Sequence, residues 1–321
     1  MRLFQRKTGK NSFFASFVAM IAWVGMAAAS SMGNADAATV NQKQFGSPED
    51  AVKALITAVK ANDTKELLAI FGPTAKVLIF SGDEVADQAG RERFTKAYDE
   101  MNQLERRDDN RVILHVGSED WPFPVPIVKK GTSWYFNTSE GKDEILNRRI
   151  GRNELNAIQV CLAIVDAERE YASQDRTGAG ILQYAQKFMS EPGRKDGLYW
   201  AAKDGEEPSP LGPLAAKASD EGYRRKEPGG QPVPYHGYFY RILKAQGKHA
   251  PGGARDYLVN GKMIGGFAVV AFPAEYRNSG VMTFIVNQDG AVYEKNLGWK
   301  TAQIAKGLKA FDPDETWQRV Q

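Results

Sequence analysis

His115, His236 and His249 are the only histidines in the 321-residue chain, and no His-x-x-x-His or His/Cys spacing joins them. A zinc site needs three or four such ligands converging, so no metal is indicated there and no cofactor is expected. His236, at the start of the run YHGYFY, is the candidate general base; Asp256 or Asp289 would orient its ring and Arg255 would bind an anionic group. That cluster needs distant loops to converge. The plainer alternative for His236 is a capped strand end or a surface ion pair. Asp175, in QDRTGAG, stands where a calcium loop would begin, yet the loop lacks the repeated carboxylates calcium takes and reads as well as a Gly-rich turn. Cys161 is the only cysteine, so an internal disulfide is excluded, and its apolar neighbours point to a buried packing thiol. Gly-x-Ser-x-Gly, P-loop and dinucleotide fingerprints are missing, and Gly252-Gly253 and Gly265-Gly266 read as turns.

The element on which these residues depend is the run Arg152 to Ser173, RNELNAIQVCLAIVDAEREYAS, uninterrupted by Gly or Pro. Leu155, Ile158, Leu162 and Val165 fall at helical spacing, with Ala157, Cys161, Ile164 and Ala167 as a second apolar row beside them. Gln159, Asp166, Glu168, Arg169 and Glu170 are left for exposed or rim positions. Before this helix, Ser47-Pro48-Glu49-Asp50 opens a capped helix, and a second follows the Asn62-Asp63 turn and ends at Gly72-Pro73. Val77 to Phe80 is a short strand or helix, and Gln88 to Gln103 a helix.

The period then changes. Arg111 to Val116, an edge segment Trp121 to Val128 and Ser133 to Asn137 read as strands. The charged segment Glu140 to Arg149 reads as helix leading into the central one. After Ser173 a short helix is expected over Ile181 to Met189. Ser190 to Pro234 holds seven of the fifteen prolines and reads as a surface excursion with one short helix, Leu211 to Ala218, and with Leu198, Tyr199 and Trp200 pinning its start. Tyr235 to Ala245, Phe267 to Phe272, Val281 to Asn287 and Ala291 to Lys295 form an antiparallel meander closed by the Asp289-Gly290 hairpin, and Thr301 to Leu308 a terminal helix. The fold class is α+β.

Arg2, Arg6, Lys7 and Lys10 precede the apolar run Phe13 to Ala29, and Ala35-Asp36-Ala37 is a small-x-small site. This is the pattern of a secretory signal peptide, with an uncleaved anchor as the rival. Of the 42 basic and 39 acidic residues, cleavage after Ala37 removes four and one, leaving 38 against 38. The mature chain would be near neutral, which supplies no argument for nucleic-acid binding, and cleavage would leave no stable membrane span. The expected map is leader 1–37, mobile linker 38–44, an α+β domain 45–148, and a helix-plus-meander domain 149–321 carrying the excursion 190–234.

The order SPEDAVKALITAVKANDTKELLAIFGPTAKV, then strands and GTSWYFNT, resembles the nuclear-transport-factor-like or cystatin-like superfamily over about residues 45 to 140. That resemblance implies a curved sheet enclosing an apolar pocket, which Trp121, Phe123, Trp134 and Phe136 would line; ordinary core packing is their other reading. The runs ELNAIQVCLAIVDAEREYAS, GLYW, PSPLGPL, YHGYFYRILKAQG, APGGARDY, MIGGFAVVAFPAEY and SGVMTFIVNQDGAVYEKNLG resemble the bacterial domain of unknown function 2950 family. This implies an exported bacterial protein and no established activity. The C-terminal half is also similar to the globular part of type II secretion pseudopilins, in which a small antiparallel sheet wraps one helix. Here the helix starts inside the chain and lacks the apolar half and processing site that pilins assemble with.

Two function classes follow. One is a non-enzymatic exported protein, periplasmic or secreted, that binds another envelope component or a small ligand. The other is a hydrolase-like or ligand-modifying enzyme using His236 and Asp256.

Overall fold

Ser47 opens the first helix through its own side chain. In the computed structural model, which describes residues 42–223 and 232–320, its Oγ accepts the Asp50 N–H at 3.1 Å and Pro48 takes the first helical position. The resulting α1 (Pro48–Lys60) buries Ala51, Val52, Leu55, Ile56 and Val59. Asp63 caps α2 (Thr64–Phe71), and Gly72, at φ +83°, ends it as only glycine does without strain. Val77 to Phe80 resolves into the short helix α3 (Lys76–Ile79). Residues 42–44, expected to be mobile, are tied down: Gln42 donates to the Ile70 carbonyl and Lys43 N–H to that of Ala69. The leader lies outside the described residues, as do 38–41 of the linker and 224–231 of the excursion.

The helix α4 spans Glu84–Glu100, not Gln88 to Gln103. Asp83 supplies an earlier cap, and at Met101 the chain turns extended and enters β1 (Asn102–Asp108). Leu104, which suits a helical period as well as a strand, pairs with Leu114 of β2 (Arg111–Val116). The segment expected at an edge splits, because Pro122, Pro124 and Pro126 deprive its middle of donors, into β3 (Trp121–Pro122) and β4 (Ile127–Lys130), and β4, past the prolines, is not an edge strand but pairs with a neighbour on each side. With β5 (Ser133–Phe136) the first antiparallel sheet runs β1-β2-β4-β5, and β3 pairs with β2. Its apolar side closes over α1 and α2 as one core, including Leu55, Ile70, Leu114 and Phe136.

Helix α5 is longer than the segment Arg152 to Ser173: it runs unbroken from Thr138 to Ala172, 35 residues, roughly 50 Å at the usual rise. The division expected at 148/149 therefore falls inside it. Its first half meets the first core through Thr138, Gly141 and Ile145. Gly141 has no substitute there, since a Cβ would stand 2.4 Å from the Pro124 carbonyl oxygen. The second half buries Ala157, Val160, Cys161, Ile164, Val165, Ala167 and Tyr171 against a second core. The stripe is thus centred on the second row, Ala157, Cys161, Ile164 and Ala167, and of the first row only Val165 is buried: Leu155 is 67 % exposed and Ile158 and Leu162 only half-buried. Small side chains let the helix settle close to the sheet, and the larger ones fall to its flank. Glu168, expected at the rim, is fully buried.

That second sheet has the order β14-β13-β12-β11-β6, all antiparallel, from β6 (Tyr238–Leu243), β11 (Ala268–Pro273), β12 (Met282–Asn287), β13 (Val292–Asn296) and β14 (Gln318–Arg319). Strand β11, between β12 and the edge strand β6, is buried along its whole length, with α5 and α7 (Thr301–Gly307) both packed on it. Asn287 to Gly290 makes the expected turn, with Gly290 at φ +80°. Two short ladders, β7 (Ala245–Gln246) with β8 (Arg255–Asp256) and β9 (Leu258–Val259) with β10 (Lys262–Met263), fill the loop between β6 and β11. The excursion carries α6 (Gly212–Asp220), and Leu198 and Trp200 are buried in the core. No helix forms over Ile181 to Met189. Its backbone donors go elsewhere: Tyr184 N–H to the Met263 carbonyl and Ala185 N–H to Glu168. Among the described residues no helix is long and apolar enough to cross a membrane.

Candidate functional site: an arginine-rimmed cavity

Helix α4 has seventeen residues and none is buried, although it covers the first core. The reason is a cavity of about 690 Å³ beneath it, within the usual range for small-molecule sites, about 300–1,000 Å³. Ala86, Gly90, Phe94 and Ala97 line it from α4 at spacings of three and four, so one helical face borders it, with Phe94 and Ala97 also packed on the core at its edge. The opposite wall is apolar, with Leu55 and Val59 of α1, Phe71 of α2 and Ile145 of α5. Phe123 sits among these rings, 5.3 Å from Phe94 and 6.2 Å from Phe71 between centroids.

Arginines frame the same space: Arg91 and Arg93 from α4, and Arg148, Arg149 and Arg152 from α5. Three are occupied. Arg149 donates to the carbonyls of Val77 and Leu78 at 2.6 and 2.7 Å and to Asn278 Oδ1 at 2.6 Å, which ties α3 to the loop before β12. Arg148 pairs with Glu144 and lies 5.4 Å from the Trp121 ring. Arg91 donates to the Ile79 carbonyl. Arg93 and Arg152, both exposed at the rim, have no hydrogen-bond or ion-pair partner among the described residues. Burial, and then the neighbouring charge of Arg93, hold the Arg152 guanidinium below its ordinary pKa. Asp87, Glu100 and Glu119 also line the cavity. Asp87 is engaged with the Ser81 N–H, and burial raises its pKa against the pull of Arg149 and Arg91.

Of the four aromatic candidates, Trp121 and Phe123 line this cavity. Trp134 and Phe136 do not: they are 5 % and 0 % exposed in the core, Phe136 packed 5.1 Å from Phe71. The arginines and Phe94 escape the sequence reading because they converge only in three dimensions. Arg148 and Arg152, four apart in the charged start of α5, are the one local signal for a basic helical face.

His236 is not joined to Asp256, Asp289 or Arg255. Its Nε2 lies 3.2 Å from Glu221 Oε2, and its charged neighbours are Glu221, Asp83, Lys217 and Arg152. Burial lowers its pKa, and the two carboxylates oppose that. His236 stands at φ +51° and Gly237 at φ +76°, a turn locked by Asp83, whose Oδ2 accepts the Gly237 N–H and the Tyr223 hydroxyl, both at 2.9 Å. Arg255 and Asp256 form exposed β8, and Asp289 is bonded within its own hairpin. His115 lies between Glu105 and Asp120, and His249 pairs with Asp312. The Asp175 carboxylate is filled by the N–H groups of Thr177, Ala179 and Gly180 from its own turn. Cys161 is wholly buried, and burial pushes its thiol pKa up to about 12. Among the described residues no group of three or more His, Cys, Asp and Glu side chains is placed to hold a metal.

A family model described as a protein of unknown function (DUF2950) matches residues 42–320. No curated protein and no solved structure matches the chain.

Proposed function

The chain belongs to the DUF2950 family, and from that premise we propose that it is an exported, non-enzymatic binding protein, periplasmic or secreted, which holds a small, largely apolar molecule beneath α4. The observation that carries this reading is the cavity itself, lined by the apolar inward face of α4 and by Leu55, Phe71 and Phe123. Apolar walls left unfilled in water are costly, and a ligand that covers them recovers that free energy. Binding of another envelope component through the excursion is the second reading of the same class. It has less to work with, because Leu198 and Trp200 are spent in the core.

The test is the neutral fluorophore N-phenyl-1-naphthylamine, which brightens in apolar surroundings. The native chain should bind it with one saturable site. Gly90→Leu places a side chain where a Cβ meets only the tip of Arg93 at 3.9 Å, so it should fill the cavity and weaken binding roughly tenfold or more without unfolding the chain. Absence of a saturable signal in the native chain would end this reading.

A further inference from the structure

We infer that the molecule held in this cavity is a single-tailed amphiphile whose anionic head, a carboxylate or a phosphate, sits between Arg93 and Arg152. The inference rests on the proposed cavity site and adds the chemical class of its ligand. An apolar wall alone would accept any hydrophobe, so the arginines decide the class.

Arg91, Arg148 and Arg149 are committed to protein partners and serve the frame. Arg93 and Arg152 are different. They come from two elements, line the same cavity, and lack a carboxylate or carbonyl partner among the described residues. Two guanidinium groups gathered without a counter-charge repel each other, and Arg152 registers that repulsion, after burial, in its lowered pKa. An anion between them would turn repulsion into two charge-assisted contacts, and the planar fork of arginine suits the two or three oxygens of a carboxylate or phosphate.

The acids on the cavity wall leave that position free. Asp87 faces Arg91 and Arg149 and accepts from Ser81. Glu100 lies seven residues beyond Arg93 on α4, about 10 Å along the helix, and Glu119 lies in the turn after β2 with no ion-pair partner among the described residues. A head group at Arg93 and Arg152 therefore leaves the tail to run under Phe94 and Ala97, along the wall that contains Phe71 and Phe123.

Displacement of N-phenyl-1-naphthylamine by three twelve-carbon compounds below their micelle concentrations tests this: laurate, dodecyl phosphate and dodecanol. The native chain should take one of the two anions at least tenfold more tightly than the alcohol, as expected for hydrogen bonds to charged groups. The stronger of laurate and dodecyl phosphate identifies the head, and either one leading supports the inference. Shortening the chosen anion by one methylene should weaken it about fourfold. The double variant Arg93→Gln/Arg152→Gln should bring the anion down to the level of the alcohol, while Arg169→Gln, in the last turns of α5, should not. If all three compounds bind equally to the native chain, the anionic class is wrong and the apolar site stands. If the fluorophore itself finds no site, both readings fall. Unchanged anion preference in a folded double variant would overturn the placement of the head.

Discussion

Ala185 donates its backbone N–H to Glu168 Oε2 at 2.8 Å, across seventeen positions and inside the second core. The other carboxylate oxygen, Oε1, has no partner among the described residues, and burial raises the Glu168 pKa well above 4.5, with the Ala185 bond only partly offsetting it. The folded chain thus holds this proton more tightly than the unfolded chain. Stability then falls as pH rises above about 4.5 and keeps falling until the folded-state pKa is passed. Glu168→Gln keeps an acceptor for Ala185 without the charge. It should raise stability at neutral pH and flatten this part of the pH dependence, as read from urea melts between pH 4 and pH 8. A variant less stable than the native chain at pH 7.5 would contradict the raised Glu168 pKa.

The two glycines of α5 should respond in opposite directions. Gly141→Ala places a methyl 2.4 Å from the Pro124 carbonyl oxygen, backbone that cannot swing away, and should cost about 1 to 3 kcal/mol by overpacking. Gly151→Ala meets nothing within 4 Å and should gain about 0.5 to 1 kcal/mol from helix propensity. Thermal melts of both variants compare them directly.

On the buried stripe, Ile164→Ala should cost about 2 to 5 kcal/mol, since Ile164 is 2 % exposed in the second core. Leu155→Ala, at 67 % exposure, should be nearly silent, with Leu162→Ala between the two. Equal losses at 155 and 164 would mean the helix is rotated from the position described.

Arg149 joins the two cores through buried bonds on both sides. Arg149→Met leaves two carbonyls and Asn278 short of a donor and should destabilise by about 3 kcal/mol. It should also loosen the coupling between residues 45–148 and 149–321. Hydrogen exchange would then show the amides of β2 opening at a lower denaturant concentration than those of β11, where the native chain opens both together.

Export makes a separate demand on the leader. Mass spectrometry of the mature protein should find its N-terminus at or near Ala38, and recovery of intact Met1 in membranes would favour the anchor instead.

Features carried by neighbouring residues are legible in the sequence. Ser47 and Pro48 announce α1, Asp289-Gly290 announces a hairpin, and three prolines within five residues confine 121–128 to short pairings. Features decided by distant packing are not. Leu104 satisfies both periods, and only Leu114 across the ladder makes it a strand residue. Ala185 looks helical until its N–H is claimed by Glu168, itself a charged residue that polarity alone sends to the surface. Half of the aromatic wall, Trp121 and Phe123, is readable by analogy. Arg93 and Arg152 meet only through the tertiary fold.

Asp83 introduces a matter of timing. Its Oδ1 caps α4 through Ala86 at once, but Oδ2 must wait for Tyr223 and for Gly237, 154 residues further along. A ribosome adding about 5 to 20 residues per second needs roughly 8 to 30 s to cover that distance. Through that interval α4 rests on α1 and the first sheet, without the tie that Asp83 later makes to the second half of the chain. The clamp between α4 and the turn before β6 closes only when that turn arrives, so a chain truncated before Tyr223 would keep the Asp83 cap of α4 and lack both of its distant bonds.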